Sequence, residues 1–155
     1  MSTPYQRIQR HEQVLGAFGY WPSFHDAEVR SLLLDCNSVL FEDIADARLD
    51  LCLHAFEWTQ SAKPTFNHHL VQFRFHEVDE LAPQGFNHQN AILEFRIEDR
   101  LRHADVPVGL TLTFVPAHGL SGSFCASSAE PLTVIPCDEK GRPRQKAEPL
   151  WRFTE

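Results

Sequence analysis

The chain has 155 residues, 43% of them hydrophobic, which is enough to bury a core within one domain. Its 14 lysines and arginines against 21 aspartates and glutamates give a formal net charge of -7, which disfavours nonspecific binding to nucleic acid. No stretch approaches the ~20 apolar residues of a membrane span, and the first residues form no apolar signal segment, so we expect a cytoplasmic protein. The four cysteines form no CxxC pair, which argues against a zinc knuckle and a redox motif.

An amphipathic helix is predicted over residues 4–18, where apolar residues recur at helical spacing among polar ones and Gly19 supplies the stop. The corner that follows, residues 19–29, holds three aromatic rings, a proline, a histidine and two acids. Ordinary connecting loops are small and polar, so we interpret this corner as a site or a structural junction. If the chain is extended from His25 onward, Asp26 and Glu28 point to one face and His25 points to the other.

Alternation of apolar and polar residues predicts the strands that follow the corner. They cover residues 29–34, 47–58, 70–77, 91–98, 108–114 and 120–127, with a last short strand at 132–135. In the second of these strands the apolar residues change phase, which predicts either a β-bulge near His54 or a second covered face there. Short polar connections indicate that successive strands pair antiparallel and present one apolar face.

The predicted fold class is α+β, with an N-terminal helix packed on a strongly curled, largely antiparallel sheet of about six or seven strands. One helix cannot cover such a sheet, so the sheet must curl, fold against itself or bury its exposed part in a partner. We expect a single domain over residues 1–155, divided into the helix at 4–18, a sheet-rich core at 19–136 and a surface tail at 137–155 whose last aromatic residues dock back.

The pair His25 and Asp26 invites comparison with HD-domain phosphohydrolases, because imidazole and carboxylate together bind divalent metals. Those enzymes are helical, whereas this chain is rich in strands, so a histidine held by a carboxylate or backbone group is the more ordinary interpretation. Adjacent His68 and His69 point to opposite faces of an extended chain and cannot readily share one ion. The chain has no HExxH, GxSxG or glycine-rich phosphate motif, so we predict no catalytic residue, metal or cofactor.

Charged residues on the polar phase of several strands form a candidate face for a protein partner. Arginines interleaved with glutamates suit recognition of a charged surface, although a simple solvated face explains them equally well. The residues of this predicted partner face are Arg30, Arg74, His76, Glu94 and Arg96.

Three blocks of the sequence, in this order, carry a resemblance to a known family. The first is Trp-Pro-Ser-Phe-His-Asp-Ala-Glu-Val at residues 21–29, and the second is Gly-Phe-Asn-His-Gln-Asn at residues 85–90. The third is Gly-Leu-Ser-Gly-Ser-Phe-Cys-Ala at residues 119–126. Together they resemble the Immunity protein 50 family of bacterial polymorphic toxin systems, over residues 18–136.

The resemblance implies an α+β protein that neutralises a cognate toxin by direct binding, without catalysis. The acidity of the chain fits a basic toxin. The motif positions that the resemblance singles out, as a structural corner or a binding site, are Trp21, Phe24, His25, Asp26, Glu28, Asn87, Gln89 and Asn90. The amides of the second block are suited to satisfying loop backbone groups, and His25 or Asp26 is a candidate partner for them.

Two alternatives remain open at this point. The first is a metal-binding protein or hydrolase that uses His25, Asp26 and Glu28. The second is a homodimeric scaffold of unknown role, which would bury its uncovered sheet face against a second copy. Neither alternative requires nucleic acid or a membrane.

Overall fold

The structure, a computed structural model, describes residues 3–41, 44–59 and 65–144. A short 3-10 helix at Pro4–Arg7 precedes the helix α1, Glu12–Phe18, and a second 3-10 helix lies at His103–Asp105. The described strands are β1 Glu28–Phe41, β2 Ile44–Trp58, β3 Thr65–His76, β4 Ile92–Arg102, β5 Val106–Pro116, β6 Gly122–Ala126 and β7 Ser128–Pro136.

The seven described strands form two antiparallel sheets. One is four-stranded in the order β1-β2-β3-β7, and the other is three-stranded in the order β4-β5-β6. Only Ser127 separates β6 from β7, so the chain passes directly from one sheet to the other there. The α+β class and the antiparallel pairing are confirmed. The strong curl of one continuous sheet is not supported, because the strands are divided between two sheets.

The two sheets share one aromatic core. On β3, Phe73 and Phe75 are fully buried, and the ring centroid of Phe75 lies 6.1 Å from that of Phe95 on β4 and 5.1 Å from that of Phe124 on β6. Side chains of alternate β2 residues point into the same core. The pairing of β2 with β3 shifts register between Ala55 and Glu57, which confirms the bulge expected near His54.

The N-terminal helix is shorter than the pattern predicts. Residues 4–7 form a 3-10 turn, and α1 begins only at Glu12. The interruption falls at Arg10, whose φ of 55° lies in the left-handed region and cannot continue a right-handed helix. Gly19, with a φ of 80°, ends α1 as expected.

Two residues at the start of the predicted surface tail are packed against the sheet, and most of their neighbours are exposed. Cys137 and Gly141 are buried, and a β-carbon added at Gly141 would collide with the guanidinium of Arg30. Residues 137–144 therefore cover part of the four-stranded sheet. The aromatic residues expected to dock back, Trp151 and Phe153, lie outside the described residues. Among the described helices none is long and apolar enough to cross a membrane.

Candidate functional site

The corner of residues 19–29 lies beside the first residues of β4. The backbone N–H of Asp26 donates to the carbonyl of Ile92 (2.8 Å), and the N–H of Ile92 donates to the carbonyl of Ala27 (3.0 Å). A further bond runs from the N–H of Phe95 to the carbonyl of Ser23 (3.1 Å). The corner therefore joins the two sheets, because its chain pairs with β4 before it enters β1.

Asn90 connects the three motif blocks. Its Oδ1 accepts hydrogen bonds from the backbone N–H groups of Asn87 (2.9 Å) and Leu120 (3.2 Å), and its Nδ2 donates to the carbonyl of Asn87 (2.7 Å). Its own carbonyl accepts from the N–H of Val29 (2.9 Å). The residue is 3% exposed; its bond to Leu120 is buried, and its two bonds to Asn87 are partly buried. Asn90 thus satisfies loop backbone groups as expected, but through Asn87 and Leu120 instead of His25 or Asp26.

Aromatic rings anchor the corner in the core. Trp21 stacks on Tyr5 with ring centroids 4.8 Å apart and meets Phe24 edge to face at 6.0 Å. Phe24 is buried and packs against Phe73 of β3. Phe24 and Asp26 both have positive φ values, 60° and 63°, which are strained for residues with a side chain. Ring burial and the bonds to β4 hold the backbone in this conformation.

His25 and Asp26 lie at the surface of the corner. The Nδ1–H of His25 donates to the carbonyl of Leu93 (3.0 Å), and its Nε2 lies 3.3 Å from a carboxylate oxygen of Asp26. Glu28 starts β1 opposite His54. Asn87 and Gln89 are exposed, and the N–H of Gln89 donates to Oδ1 of Asn87 (2.8 Å). The geometry of the corner is that of a junction whose polar groups bind one another.

A group with metal-ligand spacing lies elsewhere among the described residues. The ligand atoms of Asp79, Glu80 and Cys125 all lie within 4.8 Å of one another. Arg100 already binds this group, with its guanidinium 3.0 Å from Asp79 and 3.8 Å from Glu80. The cluster is therefore an ion pair beside a buried thiol, and His25 is not part of it.

The predicted partner face is divided between the two sheets. Arg74 and His76 lie on the outer face of the four-stranded sheet, where Arg74 makes two 2.9 Å bonds to the carboxylate of Asp50. Glu94 and Arg96 pair with each other on β4 of the other sheet, at 2.6 Å. The structure therefore brings the residues of β3 together and leaves those of β4 on a separate surface.

The outer face of the four-stranded sheet carries several neighbouring ion pairs, which we call the charged face. The ion pair of Arg48 with Asp35 lies beside the ion pair of Arg74 with Asp50. The Nδ1–H of His76 donates a hydrogen bond to the carboxylate of Asp46 (2.7 Å). The residues of the charged face are Arg10, Asp35, Asp46, Arg48, Asp50, Arg74, His76 and Glu130. They comprise four carboxylates and three guanidinium groups around one imidazole.

Asp46 is the most buried member of the charged face, at 2% exposure. Burial alone would raise the pKa of its carboxyl, but hydrogen bonds from His76 and from the backbone N–H of Glu77 hold that pKa below its usual range. The carboxylate is therefore ionised at neutral pH, and it fixes the orientation of the His76 ring.

A pair formed by buried His54 and half-buried His68 was not predicted. The Nε2 of His54 lies 2.9 Å from Nδ1 of His68, and Nε2 of His68 lies 3.1 Å from the hydroxyl of Thr65. The segment around Gly141 covers His54, and Arg30 donates to the carbonyl of Lys140 (3.2 Å) at the same place. Both histidines lie on the polar phase of paired strands, which is the one signal that could have placed them together. Burial and the neighbouring His68 lower the pKa of His54 to about 4.

Acidification is expected to destabilise the protein between about pH 6.5 and pH 4. Unfolded histidines take up protons near their ordinary pKa of ~6.5, whereas folded His54 resists protonation down to about pH 4, so protons favour the unfolded state in this window. Urea unfolding across this range should show the loss, and His54→Gln should flatten it. The exposed His88 is the matched control, since His88→Gln should leave the slope unchanged. An unaltered slope in His54→Gln would contradict this assignment.

A family model described as Immunity protein 50 matches residues 11–130 of the chain. The matched region contains the corner, the Asn87–Asn90 turn and the Gly119–Phe124 block, which are the segments that meet around Asn90. No curated protein and no solved structure gives a significant match.

Proposed function

The chain belongs to the Immunity protein 50 family, and we propose that it neutralises a cognate toxin by binding it directly in the bacterial cytoplasm, with no catalysis of its own. The family match is the observation that carries this proposal. It extends over most of the chain and over every motif block. The basic character of the toxin is part of the proposal, since a chain of net charge -7 attracts a basic partner over distances of about a Debye length.

The corner and Asn90, which bonds to it, serve a structural role in this proposal. Asn90, Trp21 and Phe24 are buried or stacked inside the protein, and their contacts are with the chain itself. His25 and Asp26 are more exposed, but the His25 ring is already bound to the carbonyl of Leu93. Residues that hold the junction together are poorly available to a toxin.

The charged face is the surface that we assign to the toxin. Its ion pairs are ordered by bidentate or short contacts, such as Arg74 with Asp50 and His76 with Asp46, so little side-chain entropy remains to be lost on binding. Charges arranged in this way favour one partner over others and raise the rate of encounter. A broad sheet face also offers a rigid support that loops do not.

The experiment compares two arginines that are each paired with a carboxylate, one on each sheet. Purified full-length chain is titrated with the product of the reading frame adjacent to its gene, and the same pair is tested by growth rescue in cells that express that product. We expect Arg74→Gln to weaken the complex about tenfold and to reduce rescue, because it removes the guanidinium that holds Asp50, a carboxylate at the centre of the charged face, in one orientation. Arg96→Gln, on the other sheet, should leave both unchanged.

Two results would contradict the proposal. If the purified proteins form no complex and the chain gives no rescue, the immunity function fails. If Arg96→Gln weakens the complex as much as Arg74→Gln does, the charged face is not the contact surface. Unfolding of both variants in urea separates lost binding from lost stability, since Arg74 is also bonded to Asp50.

A further inference from the structure

The end of the β2–β3 hairpin that lies next to α1 carries exposed aromatic rings around one carboxylate. Tyr20, just after α1, is 52% exposed, and Phe66 on β3 is 47% exposed. Phe66 lies directly opposite Glu57 of β2, so the two side chains project from the same face of the sheet. The phenol O–H of Tyr20 donates a hydrogen bond to the Glu57 carboxylate, which raises the pKa of the phenol. We call these three residues the Glu57 cluster.

Neutral groups hold the Glu57 carboxylate in place. It accepts a hydrogen bond of 2.7 Å from Nδ2 of Asn67, and the same nitrogen donates to the carbonyl of Ala17 (3.0 Å) near the end of α1. Within residues 3–41, 44–59 and 65–144 no cationic side chain forms an ion pair with Glu57. The carboxylates of the charged face, in contrast, are bonded to arginines or to a histidine. An ionised carboxylate offers about four acceptor positions, so Glu57 has room for a further donor.

We infer that the Glu57 cluster binds an arginine or lysine side chain of the toxin. The inference rests on the proposed function and adds a second contact to the one assigned to the charged face. A cationic group is attracted both by a carboxylate and by the faces of aromatic rings. Glu57 is half-buried, so its attraction for a cation is stronger than that of a fully exposed carboxylate. The bond from Asn67 fixes the carboxylate in advance, so little side-chain entropy is lost on binding.

The Glu57 cluster and the charged face lie near the two ends of α1. Arg10, which binds Glu130 on the charged face, comes shortly before α1, and Tyr20 comes shortly after it. The helix rises only about 10 Å between its ends. A standard interface covers roughly 800 Å² of each partner, so one toxin can contact both surfaces with α1 between them. Tyr20 precedes the first bond of the corner to β4, at Ser23, and is not needed for that junction.

A second copy of the chain also carries arginines and is the rival occupant of the Glu57 cluster. Two copies each have a net charge of -7 and repel one another, whereas a basic toxin is attracted. We therefore expect the mass of the free chain to stay that of a monomer as its concentration is raised. A dimer that Glu57→Gln dissociates would overturn the inference in favour of a second copy.

The first test removes the charge of Glu57 and keeps the size of its side chain. Full-length Glu57→Gln is titrated with the product of the adjacent reading frame and compared with Glu98→Gln, which removes the same charge from an exposed position on β4. Glu57→Gln should weaken the complex about tenfold and Glu98→Gln less than twofold. Added salt should weaken the Glu57→Gln complex less steeply than the unchanged one, because an ion pair is missing. Equal losses in the two variants would overturn the inference, since net charge alone would explain them.

The second test concerns the aromatic rings. Phe66→Leu should weaken the complex about fivefold and Phe66→Tyr should not, because only the leucine removes the face of a ring. Trp58 is the matched control, since it is 53% exposed on the same hairpin but is the neighbour of Glu57 and points to the opposite face. Trp58→Leu should leave the affinity unchanged. A loss in Phe66→Leu without one in Glu57→Gln would indicate an apolar contact and would overturn the inference.

The failures of the inference and of the proposed function are distinguishable. Urea unfolding of each variant first separates lost binding from lost stability. If Glu57→Gln and Phe66→Leu bind like the unchanged chain while Arg74→Gln still weakens the complex, the Glu57 cluster is not used and the immunity function stands. If no complex forms with any version of the chain, both fall together.

Discussion

Replacing Asn90 by alanine is expected to lower the free energy of unfolding by about 2 to 4 kcal/mol. The substitution removes the acceptor of the N–H groups of Asn87 and Leu120 and the donor to the carbonyl of Asn87. The bond from the Leu120 N–H is buried and the two bonds to Asn87 are partly buried, so water replaces the bond to Leu120 least readily. Leaving one buried and two partly buried polar groups without partners costs more than losing one bond at the surface.

Gln89 provides the control from the same turn. Its side chain is exposed, and only its backbone N–H takes part in the turn, through Oδ1 of Asn87. Gln89→Ala should therefore change the free energy of unfolding by no more than about 0.5 kcal/mol. Urea unfolding of both variants at neutral pH measures the difference. An Asn90→Ala protein as stable as Gln89→Ala would show that Asn90 is not the structural centre of the three blocks.

The same variant separates stability from binding. Because we assign the corner a structural role, Asn90→Ala should bind the toxin normally at a temperature where it remains folded. A variant that is fully folded but fails to bind would place Asn90, and the corner that it bonds through Val29, in the contact surface.

The strands could be predicted because each has one face in the core. In β2, leucines 49, 51 and 53 are fully buried while Arg48 and Asp50 are not, which is the alternation that the sequence displays. The bulge near His54 could be predicted for the same reason, since the apolar residues change phase there. The periodicity of apolar residues within a strand indicates which side chains face the core, but not which strands pair.

Pairing between strands could not be obtained from that periodicity. The alternation of apolar and polar residues in β6 and β7 would be the same if the two strands shared one sheet. The chain changes sheets at Ser127 because β6 pairs with β5 and β7 pairs with β3. The break of the helix at Arg10 likewise depends on tertiary contacts, because its neighbour Gln9 is bonded to Ala129 of β7. His54 and His68 are 14 positions apart and meet only through strand pairing.

The three motif blocks are far apart in the sequence and meet in the structure. Their spacing in the sequence does not show that residues 26–29, 90–92 and 119–121 lie together. The structure brings them together through the hydrogen bonds of Asn90 with the backbone N–H groups of Leu120 and Val29. Each block therefore supplies part of a single junction.

Gly119→Ala is expected to lower the free energy of unfolding by about 3 kcal/mol or more, for two separate reasons. Gly119 has a φ of 76°, which a residue with a β-carbon adopts only under strain. A β-carbon there would also collide with the carbonyl oxygen of Gln89 and lie 2.6 Å from Oδ1 of Asn90. Backbone atoms cannot move aside as flexible side chains can, so the turn itself would have to shift.

The variant Gly19→Ala is the control that measures backbone strain without a steric collision. Its φ of 80° is nearly the same as that of Gly119, but a β-carbon added at Gly19 meets no atom within 4 Å. Gly19→Ala should therefore cost only the conformational term, about 1 kcal/mol. Equal losses in the two alanine variants, measured by urea unfolding, would show that close approach at Gly119 contributes nothing.

A double variant that combines Gly119→Ala with Asn90→Ala tests whether the β-carbon at position 119 collides with the Asn90 side chain. Removing that side chain eliminates the 2.6 Å contact with Oδ1 but leaves the collision with the carbonyl of Gln89. The double variant should therefore lose less stability than the sum of the two single losses, by about 0.5 to 3 kcal/mol, as for residues in contact. Strict additivity would mean that Gly119 and Asn90 act independently, and that the junction is not the single unit that its hydrogen bonds describe.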